Sequence, residues 1–302
     1  MIDLPTVIYA ALLTCPPILL ASLGMTVCER AGEYNIGMEG IMLVAATSTY
    51  LVALVTGSLP LSILIGPLVG LAFGVSLTIL QLRLRLDQTI LGLGIILFGT
   101  GMDPYLAGFV PVATVGNAVA TLPRVGIFAN SYWAFLVNQN VFVYISLAAI
   151  PVAWFLTSRT FFGLKMTAAG ENPAGSDAVG VDVFKTKAIC LIVSCMLGGF
   201  AGGYFIYGMI GGWIVGVTGG AGFLAIAIVR IGNWDVRYVG IYSIIVSALF
   251  SFQFLGQIVF GNIPSEVFQS MSYVISIIVV VLTNSIGKRT GPAALGIPYK
   301  RG

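Results

Sequence analysis

The sequence predicts an all-α polytopic integral membrane protein with eight or nine membrane segments, one of them a short re-entrant helix. Three observations predict it. Only 8% of the 302 residues are charged, against roughly 25% in a soluble domain whose surface must be wetted. Charges are absent between Asp3 and Glu29, Glu39 and Arg83, Lys187 and Arg230, and Arg237 and Glu266, stretches long enough for the roughly 18 apolar residues of a membrane helix. Mean hydropathy is +1.02, and the few basic residues fall on alternate connections between the apolar runs.

Charge-free runs bounded by turn residues give nine segments: 4–28, 38–57, 59–82, 88–110, 139–157, 187–208, 222–232, 236–259 and 265–286. Segment 222–232 is too short to cross about 30 Å at 1.5 Å per residue, so it is expected to form one arm of a re-entrant hairpin. One set of connections holds Arg30, Arg83, Arg85, Arg159, Lys165, Lys185, Lys187, Arg230, Arg237, Lys288, Arg289, Lys300 and Arg301, which is 13 of the 14 basic residues. The other set holds only Arg124. By the positive-inside rule the first set is cytoplasmic, with the N-terminus outside and the C-terminus inside. Two connections are long enough to hold structure. The outer one, 111–138, carries Phe128, Tyr132 and Trp133 and reads as an interfacial cap. The inner one, 158–186, is the most polar part of the chain, and its turn-and-helix pattern PAGSDAVGV reads as a docking element on a single transmembrane domain spanning 1–302.

Glycine divides into two patterns. Gly66, Gly70 and Gly74 recur every four residues and read as close helix packing, because small residues let backbones approach in lipid. Gly208, Gly212, Gly216 and Gly220 lie in GMIGGWIVGVTGGAG. Each interior glycine costs a helix about 1 kcal/mol relative to alanine, so a broken backbone is expected there. An internal echo, Gly37-x-x-Gly40-x-Met42-x-x-Ala45 against Gly219-x-x-Gly222-x-Leu224-x-x-Ala227, suggests two weakly related halves with interruptions at corresponding positions.

Candidate polar groups are few. In Glu29–Gly40, Arg30 is expected to pair with Glu29 or Glu33. Asn35 and Glu39 stand at the start of a helix, where free N–H groups favour a carboxylate or a bound polar ligand. Glu39 reads first as a helix cap or ion-pair partner, and otherwise as a substrate contact. Phe98, Tyr204, Tyr207, Trp213 and Gln253 are further candidates for a substrate path, since an aromatic ring can stack on a sugar or base and an amide can read its edge; any single one of them reads more readily as packing. Asp103-Pro104 reads as a helix cap or a gate.

Several classes fall away. The net charge of +3 is small and scattered, which argues against a nucleic-acid partner. There is no histidine, which removes the commonest general base and metal ligand. The four cysteines (Cys15, Cys28, Cys190, Cys195) lie in apolar runs without metal-ligand spacing and read as packed thiols. Gly287-Lys288 lacks the preceding glycine of a P-loop, and with no Ser/His/Asp set, metal cluster or paired carboxylates in the sequence no catalytic or metal site is assigned. A path without an energy source needs an external engine or an ion gradient. An ion-coupled secondary transporter of a small polar solute, with Glu39 or Asp103 as the coupling carboxylate, is therefore the alternative reading.

ERAGEYNIGMEGIMLVA at 29–45 and GLKMTAAGENPAGSDAVGVDVFKTK at 163–187 resemble motifs of the ABC importer permeases for simple sugars and nucleosides, grouped with ribose-type and branched-chain amino-acid permeases. LDQTILGLGI at 86–95 and GGFAGGY at 198–204 match in character and order, and the similarity covers nearly the whole chain. The ERAG…NIGMEG form is more similar to the nucleoside-type branch, whereas GTGMDPYLAG at 99–108 and GNWDVRYVG at 232–240 depart from the family. The resemblance implies a type II importer-like fold in a bacterial or archaeal cytoplasmic membrane. It implies a second permease subunit (a paralogue rather than an identical copy), two cytoplasmic ATPases carrying ATP and magnesium, and a periplasmic or lipid-anchored solute-binding protein. Carried over by position, Gly170, Glu171, Asn172 and Pro173 begin the turn that docks on the ATPase, and Ala178 and Gly180 allow close contact there. No cofactor is implied on this chain.

Overall fold

The computed structural model describes residues 4–109, 138–259, 264–286 and 291–299. Eleven helices are defined among them: α1 Leu4–Arg30, α2 Met38–Thr56, α3 Leu59–Leu77, α4 Gln88–Ala107, α5 Val141–Arg159, α6 Phe161–Glu171, α7 Pro173–Ala178, α8 Val183–Tyr204, α9 Ala221–Ile231, α10 Val236–Val259 and α11 Ser265–Ile286. One π-helical turn, Thr78–Arg83, extends α3 and another, Phe205–Ile210, extends α8. Seven of these segments are long and apolar enough to cross a membrane, in keeping with the polytopic expectation. Most of the outer connection, with Arg124, Phe128, Tyr132 and Trp133, lies outside the described residues, as do Lys288, Arg289, Lys300 and Arg301.

Several helices start where a side chain satisfies one of their first N–H groups. Asp87 caps α4 by accepting from the Ile90 N–H at 2.9 Å, Asn140 caps α5 through the Val143 N–H at 3.1 Å, and Asp182 caps α8 through the Lys185 N–H at 2.9 Å. The central helix α1 runs through Pro16 and Pro17. Inside a bundle, neighbouring helices and local adjustments absorb the freed carbonyls.

Around α1 and α8 the other helices pack in matching pairs. α3 packs on α8 as α10 packs on α1, α2 on α8 as α9 on α1, and α2 against α4 as α9 against α11. The fourfold stripe on α3 explains one of these contacts: a Cβ on Gly66 or Gly70 would collide with the backbone of Gly199 or Cys195 on α8. Gly99 of α4 likewise lies against the backbone of Gly40 on α2. The largest core is buried between α1, α2, α8, α9 and α10, from Ile18 and Leu19 to Phe205, Leu224 and Phe250.

One end of the bundle gathers most of the described basic residues. There the 31–37 connection meets the α3–α4 connection, with the Tyr34 N–H donating to Gln88 at 2.7 Å and Gln81 Nε2 to the Tyr34 carbonyl at 3.2 Å. Arg30 reaches α6, Lys187 reaches Glu33, and the segment 291–299 lies across them, its Ala294 N–H donating to the Gly170 carbonyl at 2.9 Å. Because α1 ends and α8 begins at this same end, the two run antiparallel.

Candidate functional site

After the π-helical turn the chain leaves helix at Gly211, in the left-handed region at φ 67°, and re-enters it at α9, whose N-cap Gly220 has φ 84° and no side chain to cap with. The missing cap comes from another helix. Glu39, in the first turn of α2, is 4% exposed. Its Oε1 accepts from Thr218 Oγ1 at 2.6 Å and from the Gly220 N–H at 3.0 Å, and its Oε2 accepts from the Gly222 N–H at 2.7 Å. A carboxylate satisfies both the free N–H groups and the positive end of the helix dipole. Gly222 is required by the same contact: a Cβ there would press on the Glu39 backbone. The two interrupted positions of the sequence echo are therefore neighbours, and the starts of α2 and α9 meet at Glu39.

A second buried carboxylate holds the other side of the break. Asp103 of α4 is 1% exposed. It accepts from Thr47 of α2, from Trp213 Nε1 at 2.8 Å and from the Gly216 N–H at 2.8 Å. Segment 211–220 is thus strapped to Asp103 and Glu39, while Ile214 and Val215, between the two positions that bond to Asp103, are exposed. Gln253 of α10 is buried against Gly219, where a Cβ would strike its amide.

Of the sequence-derived path residues, Glu39, Trp213 and Gln253 converge on this strap. Tyr204 and Tyr207 lie just upstream, edge to face at 6.0 Å, with the Tyr204 hydroxyl accepting from Asn140 Nδ2 at 2.7 Å. Asn35 is elsewhere: its Nδ2 donates to Ser194 Oγ at 3.1 Å on α8, and its buried Oδ1 has no hydrogen-bond partner among the described residues. Phe98 is half-exposed on α4 and meets the edge of Phe73 at 6.1 Å. Thr47 and Thr218 were not legible as site residues. Asp103 was visible as a lone carboxylate in an apolar run, but its partners were not.

At the basic end the expected pairing of Arg30 with Glu29 or Glu33 is corrected. Arg30 donates to Thr167 Oγ1 at 3.2 Å, Glu33 pairs with Lys187 at 2.7 Å, and Glu29 accepts from Trp234 Nε1 at 2.6 Å. The acids turn inward to donors on α8 and the α9–α10 turn, leaving Arg30 to face α6. Burial pushes the Glu33 carboxyl above its usual range, and the Lys187 charge opposes that shift. Asp235, on the α9–α10 turn, is held below the ordinary carboxylate range by its hydrogen bonds with Arg237 at 2.8 Å.

The expected docking turn forms α6, α7 and their junction. Asn172 Oδ1 accepts from the Gly175 N–H at 2.9 Å and Pro173 occupies the first position of α7. Glu171, Asn172, Ala178 and Gly180 are exposed, and Gly180 has φ 86°. Gly170 is buried instead; a Cβ there would collide with the Arg30 carbonyl, so it seats α6 against the end of α1. Between α6 and the α9–α10 turn lies a polar cavity of about 300 Å³, lined by Arg30, Thr167, Glu171, Trp234 and Asp235. Among the described residues no group of His, Cys, Asp and Glu is arranged to hold a metal ion.

Three comparisons bear on this arrangement. Residues 7–283 match the family described as the branched-chain amino acid transport system / permease component. The chain is 34% identical to a putative glucose ABC transporter permease protein of Haloferax volcanii, over 72% of this chain and 67% of that one. It is 27% identical to the nucleoside ABC transporter permease protein NupC of Lactococcus lactis, over 98% and 97%, and 26% identical to the guanosine ABC transporter permease protein NupQ of Bacillus subtilis, over 98% and 95%. No solved structure matches. A bundle of membrane-length helices, interrupted beside two buried carboxylates, thus carries a family match over nearly its whole length: the chain belongs to the branched-chain amino acid transport system permease family and is a multi-pass permease subunit of an ABC importer.

Proposed function

We propose that this chain forms half of a translocation path for a nucleoside or a simple sugar, and that the strap Gly211–Gly220 is the part of the path that moves. The relatives named for nucleosides and glucose support the solute class. The observation that carries the reading is the strap itself: a non-helical, glycine-rich segment hydrogen-bonded to Glu39 and Asp103, with Val217 seated in the core and Ile214 and Val215 exposed. Irregular backbone among membrane helices is tolerated where protein or a watery cavity surrounds it, and the exposed stretch at Ile214 and Val215 can shift without disturbing the core that holds Val217. Trp213 and Gln253 supply an indole and an amide at the strap, and Tyr204 and Tyr207 are buried just upstream. Both carboxylates are engaged by several donors, which leaves the ATP-driven reading ahead of an ion-coupled one.

In this reading the basic end faces the cytoplasm, following the charge asymmetry, and short helix α9 is re-entrant. The exposed α6–α7 turn, with Glu171, Asn172, Pro173, Ala178 and Gly180 at its surface, docks on one of two ATPases that hydrolyse ATP with magnesium. A paralogous permease completes the path and a periplasmic or lipid-anchored binding protein delivers solute to the opposite end. The chain carries no chemistry of its own; its partners bias two conformations. Uptake of a labelled purine nucleoside by vesicles holding the assembled importer, with pyrimidine nucleosides, ribose and glucose as competitors, tests the solute. Competition by nucleosides supports the nucleoside branch, competition by glucose or ribose alone supports the sugar branch, and competition by none overturns both.

A further inference from the structure

A second feature lies on the outside of the bundle, away from the strap. Between α1, α5 and α8 runs a groove of about 290 Å³ with almost wholly apolar walls, from Leu197 and Val193 through Val152 and Leu156 to Ile189 and Phe162. It opens sideways: Val152, Leu156, Ile189 and Val193 are all exposed. From Leu197 to Ile189 it extends about 12 Å along the helix axis, the direction in which a lipid chain lies beside membrane spans.

Both walls end in a lysine at the basic end. On α8, Lys185, Ile189, Val193 and Leu197 recur every four residues and so share one face, and Lys185 is exposed. On α6, Phe162 lines the groove and Lys165, three residues on and exposed, continues the same row. Gly163 fixes this placement, since a Cβ there would collide with the Thr157 carbonyl at the end of α5. Neither lysine has an ion-pair partner among the described residues. Nearby, the Arg159 guanidinium lies 5.5 Å over the Trp154 ring, and a tryptophan paired with a cation at a helix end marks the level of the headgroups. An apolar trough leading to two unpaired cations at that level has the chemistry of an anionic phospholipid: acyl chain along the trough, phosphate between the lysines.

We propose that this groove is a binding site for one anionic phospholipid, with Lys165 and Lys185 holding its phosphate and α1, α5 and α8 enclosing an acyl chain. The bound lipid braces α6, and through it the α6–α7 turn, against the bundle. The site is independent of the solute carried.

The test is native mass spectrometry of the full chain extracted from vesicles of phosphatidylcholine mixed equally with phosphatidylglycerol of the same acyl chains. The expected result is selective retention of one phosphatidylglycerol. Lys165→Gln and Lys185→Gln should each lower the preference by about five-fold, and Val193→Trp, which fills the trough, should abolish retention of either lipid. Arg83→Gln with Arg85→Gln, two basic residues at the same end on a different connection, should leave the preference unchanged. Equal retention of the two lipids overturns the proposal, as does an unchanged preference in the lysine variants or an equal loss in the Arg83/Arg85 variant. A dimer that Val193→Trp disrupts while lipid retention persists would assign the groove to a second permease copy instead.

Discussion

A carboxylate taken out of water costs several kcal/mol unless donors replace the lost hydration. Glu39 and Asp103 each have three donors, and in both cases at least one is a backbone N–H that no mutation of a side chain would remove. The converse is that changing the carboxylates strands those donors. Glu39→Ala leaves the Thr218 hydroxyl and the Gly220 and Gly222 N–H groups without their acceptor, at about 1–3 kcal/mol for a buried unsatisfied group. The expected outcome is a lower unfolding midpoint for the purified protein and loss of uptake; Glu39→Gln, which keeps one acceptor oxygen, should fall between. Trp213→Phe removes the indole donor that Asp103 and Thr47 share, and should reduce uptake with little change in unfolding because Asp103 keeps the Gly216 N–H and the Thr47 hydroxyl. An unchanged uptake rate in both Glu39→Ala and Trp213→Phe would show that the strap has no part in transport. Residue types alone marked Glu39, Trp213 and Gln253 as candidates. They did not disclose the partners, because Glu39 is separated from Gly220 and Gly222 by 181 and 183 positions. Arg30 shows the same limit: adjacent opposite charges in sequence suggested local pairs, and the fold turned Glu29 and Glu33 inward to Trp234 and Lys187.

Elements were far more legible than contacts. A span in lipid must satisfy its own backbone polar groups, which a continuous apolar run does as a helix, so long apolar runs bounded by charges or turn residues translate almost directly into α1–α5, α8, α10 and α11. Gly66 and Gly70 were readable as packing because a fourfold small-residue stripe has one common use in lipid. The terminal segment 291–299 gave no such signal. It ties three elements together: the Gly296 N–H donates to the Gly32 carbonyl at 3.2 Å, the Ala293 N–H to Glu171 at 3.3 Å, and Gly291 lies against Trp234. Deleting residues 291–302 should leave the chain inserted in the membrane but weaken the coupling of ATP hydrolysis to uptake, since the α6–α7 turn loses its tie to the 31–37 connection. Measuring ATPase rate and uptake in the same vesicles checks this; equal coupling with and without the segment contradicts it. At the proposed docking turn, Glu171→Arg reverses an exposed charge, and Gly180→Val forces a β-branched residue into φ 86°, which costs about 1–2 kcal/mol. Both should lower co-purification of the ATPase while membrane insertion persists.

For the whole molecule, the matched packing of helices around α1 and α8 gives two similar half-bundles whose interruptions meet at Glu39. An importer needs two arrangements of nearly equal free energy, so that its partners can shift the balance. The strap suits this because its anchors are five hydrogen bonds from segment 211–222, whereas the close glycine contacts of α3 with α8 leave no room for sliding. The four cysteines, Cys15, Cys28, Cys190 and Cys195, are all free and buried, so a single thiol placed on the strap can report its exposure. The most direct measurement is the labelling rate of Val215→Cys by a membrane-impermeant maleimide in the assembled importer, with and without ATP and solute. If the strap moves, the labelling rate changes when ATP and solute are both present, and uptake is lost once the thiol is modified. A labelling rate identical in every state, with uptake intact after modification, would contradict that motion.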